Sequence, residues 1–228
     1  MNNMDQTKAR GLSSFYSKVY GFLGLGIGIS AVTAFLASTI FKEAIFSLLA
    51  QNSLVFWGIW IAQLVLVIYL SKATASNNAA KSVGGYIVYS ALTGITLSIT
   101  LQLYDIGTIT YAFITSAVTF IVMSVVGVVI KKDLSAIGQA LYSLVIGIII
   151  ATLLNVFLLK SSPVDFFISL AMVVVFAGLT AYDNQKIKAI YLQAGDQAVT
   201  GIAVYCALSL YLDLINLFYA FLRIFSRD

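Results

Sequence analysis

Two aspartates stand where apolar sequence leaves little water to solvate them: Asp183 in GLTAYDNQKIK (178 to 188) and Asp213 in SLYLDLINLF (209 to 218). A carboxylate inside a membrane-spanning segment is costly unless it is protonated, paired or wetted. Asp213, apolar on both sides, is therefore a functional candidate on its surroundings alone. If two such groups met in a low-dielectric site they could not both ionise cheaply and would share a proton. Their dianion would attract a cation. Asp183 has a second reading, as a solvated carboxylate where a membrane helix ends, beside Lys186 and Lys188. A hairpin turning near Gly195 sets the two aspartates about 9 Å apart in depth at about 1.5 Å of rise per residue, an offset that a helix tilt of about 20° can largely absorb.

The rest of the chain leaves proton chemistry to such carboxylates. There is no histidine, and the one cysteine is Cys206. The usual near-neutral switch, the commonest metal ligand and any internal disulfide are thus missing. Of the 228 residues 61% are hydrophobic and 10% charged, with a mean hydropathy of +0.99; this is the composition of a polytopic membrane protein. A spanning helix needs about 20 mostly apolar residues, and the chain parses into seven: 19 to 41, 54 to 71, 83 to 103, 108 to 130, 137 to 159, 164 to 187 and 199 to 222. Pro163 opens the sixth, where a helix's first turn tolerates proline. The first follows Lys8, Arg10 and Lys18 as a signal peptide would, yet its apolar stretch is too long for one. The expected organisation is a cytoplasmic segment at 1–18 and a single seven-helix transmembrane domain at 19–225, without a separate soluble domain.

The net charge of +4 reads as topology, not as a nucleic-acid surface, because the basic residues lie between apolar segments. Nine lysines and arginines fall on the side of the N-terminus and of the 72–81, 131–132 and 186–188 connections; four (Lys42, Lys160, Arg223, Arg227) fall on the other. The positive-inside rule makes the N-terminus cytoplasmic, and seven crossings put the C-terminus outside. Arg223 and Arg227 argue weakly against that side.

Other polar residues inside the spans are candidates for lining a pore or supporting the aspartates. Tyr205, Ser209, Asp213 and Asn216 fall at i, i+4, i+8 and i+11, one polar stripe on the seventh span. Gln63 is the strongly polar residue of the second span and Asn155 of the fifth. The third carries Tyr86, Ser90, Thr93 and Thr100 on roughly one face. Ordinary interhelical hydrogen bonding or back-bonding within a helix accounts equally for such residues. Glu43, Asp105 and Asp165 are either a cation-attracting mouth or solvated loop ends. An enzyme is not expected: histidine, GxSxG and a phosphate loop are all missing, and neither AYDNQ nor YLDLI has GxGD-type surroundings of an intramembrane aspartyl protease. No lysine precedes Arg223 in the seventh span to hold retinal.

The stretches FYSKVYGFLGLGIG (15 to 28), YSALTGITLS (89 to 98), KKDLSAIGQALYSLVIGIIIATLLNVFL (131 to 158), GLTAYDNQKIK and YCALSLYLDLINLFYAFLRIF (205 to 225) together resemble the Bax inhibitor-1 family in its bacterial branch. The resemblance runs over nearly the whole chain. AYDxQKIK followed about thirty residues later by SLYLDxINLF is its specific part. It implies seven helices, two three-helix layers around a central C-terminal helix, and a pH-sensitive passive calcium leak. It also implies that Asp183 and Asp213 pair as proton sensor and gate, and as a weak calcium site. Some family members use an arginine on the second helix to latch the acidic pair; here that helix offers Gln63 instead. Two other readings remain open, a non-conducting regulatory or interaction protein and a proton-coupled cation exchanger. The expected partners are calcium ions, protons and the lipid bilayer of a bacterial plasma membrane, with no cofactor and no nucleic acid; no surface in the sequence specifies a protein partner.

Overall fold

In the computed structural model residues 3–51, 53–75, 79–194 and 200–226 are described. They form α1 (Asn3–Thr39), α2 (Lys42–Gln51), α3 (Ser53–Ala75), α4 (Ala79–Leu101), α5 (Ile106–Val129), α6 (Ser135–Leu154), α7 (Ser162–Ala194) and α8 (Thr200–Phe225). No strand occurs among them. Apolar runs of this length leave the backbone one way to satisfy its polar groups without water, which is within the helix. Six helices, α1 and α4 to α8, are long and apolar enough to cross a bilayer, and α3 adds the shorter apolar stretch Trp57–Ser71. The protein is an all-α membrane protein whose spanning helices agree with the seven expected.

Three boundaries differ from the sequence expectation. The segment at 1–18 is not set apart from the first span: α1 is continuous from Asn3 to Thr39. The connection after it holds a helix of its own, α2, because KEAIFSLLAQ is built of good helix formers and carries Glu43 in the first turn, at the positive end of the helix dipole. Finally, α7 does not stop near 187 but runs on to Ala194. Asp183 is therefore a residue of a helix interior rather than of a helix end. The turn placed near Gly195 lies outside the described residues.

Caps fix the joints around the later helices. Asp105 caps α5, its carboxylate accepting from the Thr108 amide at 2.9 Å and from the Thr108 hydroxyl. Those two bonds, the hydroxyl's first, hold this exposed carboxyl below the usual carboxylate range. After α6 a π-helical turn, Asn155–Leu159, ends at Lys160 in the left-handed conformation, φ 48°.

The chain forms two compact units, Met1–Leu103 with Tyr191–Leu208 and Tyr104–Ile190 with Ser209–Asp228. Within the first, α1 and α4 are joined by the Ser30 hydroxyl, which donates to the Ser90 carbonyl at 2.7 Å. Within the second, α5, α6 and α7 meet around the sequence AYDNQK. Of the candidate spans α8 is the most enclosed, with 61% of an 18-residue window buried, and Asp213 on it is 3% exposed.

Candidate functional site

The run Ala181 to Lys186 on α7 meets α5, α6 and the connection between them. The Ala181 carbonyl lies so close to α5 that a Cβ on Gly127 would stand 2.1 Å from it. The Tyr182 ring covers Gly138 of α6, where a Cβ would come within 2.6 Å. Asn184, fully buried, donates to the Ser124 hydroxyl of α5 at 3.1 Å and to the Thr180 carbonyl at 2.8 Å. Gln185 ties the α5–α6 connection to α7: its carbonyl accepts from the Leu134 amide at 2.8 Å and its amide donates to the Lys132 carbonyl at 2.9 Å. Lys186 sets its ammonium 5.7 Å from the Tyr182 ring centroid and 6.0 Å from that of Tyr142, within cation–π range.

Asp183 is placed by that frame. It is 4% exposed, and the Tyr142 hydroxyl of α6 donates to it, 3.0 Å from Oδ1 and 3.2 Å from Oδ2. Lys186 is near enough for its charge to act on the carboxylate. Asp213 on α8 is 3% exposed, and its Oδ2 is buried without a hydrogen-bond partner. Asp183 and Asp213 lie near enough for direct charge–charge interaction, although no hydrogen bond among the described residues joins them. The same unit thus holds two nearly water-free carboxylates, one with a donor across its oxygens and the other with a bare oxygen. A buried polar atom of that kind is expensive and rare, and a proton or a cation is what would relieve it. Among the described residues no third Asp, Glu, Cys or His joins the pair; further ligands to a cation would have to be neutral oxygens.

The other sequence candidates divide between the two units. Gln63 belongs to the first unit and donates to the Thr93 hydroxyl of α4 at 3.1 Å. Tyr205 also lies in the first unit, half-buried. Ser209 and Asn216 are half-buried on α8 in the second, and the Asn216 amide donates back to the Leu212 carbonyl at 2.8 Å. Asn155 is used up by the joint after α6: its amide donates to the Ser161 carbonyl at 3.1 Å and its carbonyl accepts from the Ser161 amide at 3.0 Å. Thr93 and Thr100 of α4 bond back to their own helix. Asp165 faces Arg223 at 3.7 Å and Asp105 is a helix cap. The residues that sequence reasoning missed are Tyr142, Ser124, Asn184 and Gln185.

Residues 12–228 match the family described as inhibitor of apoptosis-promoting Bax1. The chain is 40% identical to an uncharacterized membrane protein of Streptococcus pyogenes serotype M1, over 96% of this chain and 94% of that one. It is 41% identical to the uncharacterized protein YrjE of Lactococcus lactis, over 96% and 93%. It is also 39% identical to the inner membrane protein YbhL of Escherichia coli K12, over 95% and 93%. With a family match across nearly its whole length and relatives this close over as much of theirs, the chain belongs to the Bax inhibitor-1 family.

Proposed function

We propose that this protein is a passive calcium leak path in a bacterial plasma membrane, gated by protons at Asp183 and Asp213, with no enzymatic activity and no cofactor. The observation that carries the reading is the bare, buried Oδ2 of Asp213 within charge–charge range of Asp183. A membrane protein keeps a carboxylate in such a place at a standing cost to stability, and residues of that kind mark ion or proton routes. Proton uptake would neutralise the pair; proton release would leave a site attractive to calcium yet too poor in ligands to hold it.

Calcium flux into liposomes containing only this protein, titrated against pH, tests the reading. Asp213→Ala should alter the flux or its pH dependence strongly and Asp105→Ala only weakly, since the first removes a carboxylate from within a span and the second a solvent-exposed helix cap. Equal effects would sink the reading. Flux that requires an opposing pH gradient would make the protein an exchanger, and no flux from the reconstituted protein would leave the non-conducting role.

A further inference from the structure

The hydroxyl of Tyr142 lies across both oxygens of Asp183, at 3.0 and 3.2 Å. A phenol has one proton, so this donor sits over the carboxylate fork instead of committing to one oxygen. Asp183 is 4% exposed and Tyr142 is 42% exposed, so the tyrosine is the accessible partner of this contact. Its ring meets that of Tyr182 edge-on, with centroids 6.1 Å apart and planes at 82°, and Lys186 stands over both rings.

We propose that Tyr142 is a positioning residue of the site: its hydroxyl occupies the Asp183 oxygens that a divalent cation would ligate, and it must swing off them for the cation to bind. The inference rests on Asp183 being part of a cation path. A cation and a hydrogen-bond donor use the same lone pairs, so they compete, and the bond to be displaced is charge-assisted when Asp183 is ionised. Lys186 on α7 acts electrostatically on Asp183, and Asp183 in turn on Asp213 of α8. On the α5 side the neighbours of this stretch of α7 are Ser124 and Gly127, neither of which titrates. Control of access therefore falls to α6, through one hydroxyl mounted on an aromatic and cationic support.

Tyr142→Phe isolates that hydroxyl, because it keeps the ring, its edge contact and the cation above it. In full-length protein in liposomes at alkaline pH, the calcium concentration giving half-maximal flux should fall about tenfold, the factor for one lost charge-assisted hydrogen bond. Asp183→Asn should remove that difference. In infrared spectra taken under acid, the carboxyl C=O band that vanishes in Asp183→Asn should move to higher frequency in Tyr142→Phe. An unchanged half-saturation with an unmoved band overturns the inference. If wild-type protein passes no calcium, the leak reading fails separately, and the carboxylate band decides. A calcium-induced change that is larger in Tyr142→Phe than in wild type supports the inference, whereas equal changes overturn it.

Discussion

Asp213 offers a carboxylate oxygen to a buried place with no donor to meet it, and the charge of Asp183 acts on it. If the two act as one unit, replacing either by asparagine leaves the other beside an amide instead of a like charge. The proton-linked transition in calcium flux should then shift or vanish in Asp183→Asn and in Asp213→Asn alike, and the double variant should resemble the singles. A midpoint unchanged in Asp183→Asn, with the transition lost only in Asp213→Asn, would mean that desolvation of Asp213 acts alone. Both aspartates were legible in the sequence because a charge in an apolar run is visible without any partner. Tyr142 was not, since it stands 41 residues before Asp183 in an apolar span where an aromatic needs no explanation. Asn155 misled for the opposite reason: an amide in a span looks like a pore residue until the Ser161 backbone, which takes both its polar atoms, shows a helix being closed.

At the scale of elements, the site depends on how closely α5, α6 and α7 approach. Gly127 has the Ala181 carbonyl where a Cβ would go, and a backbone atom cannot turn aside as a side-chain tip can. Gly127→Ala should therefore destabilise the protein by about 1 to 3 kcal/mol through overpacking, read as a lower midpoint of thermal unfolding in detergent. Gly147→Ala in α6, with nothing within 4 Å of the added carbon, should cost nothing and serves as the control. A Gly127→Ala protein as stable as wild type would show that α5 and α7 are not held this near. Helix existence was readable from apolar length alone, but helix ends were not. Neither α2 nor the run of α7 to Ala194 is marked by a change in hydropathy that a 20-residue ruler detects; beyond residue 187 α7 is met at Tyr191, whose ring lies 5.5 Å from that of Phe15 and whose hydroxyl stands where a Cβ on Gly11 would go, partners distant in sequence.

For the whole molecule, orientation in the membrane decides which side each connection meets. Nine basic residues on the N-terminal side against four on the other favour a cytoplasmic N-terminus. Arg223, of the minority, lies 3.7 Å from Asp165 at the start of the preceding helix. Lys131 and Lys132, in contrast, are both exposed, and Gln185 fastens their loop to the part of α7 that carries Lys186 and Lys188, gathering four lysines at one end of the second unit. A reporter fused after Lys132 should accordingly report the cytoplasm, and one inserted beside Asp105, at the opposite end of α5, should report the outside. A reporter at the N-terminus should agree with the one at Lys132 if α3 crosses the bilayer as the seventh span, because α1, α3, α4 and α5 then lie between them; agreement with Asp105 instead would make α3 a segment that enters without crossing. Exchanged labels, Lys132 outside and Asp105 in the cytoplasm, would reject the charge argument itself.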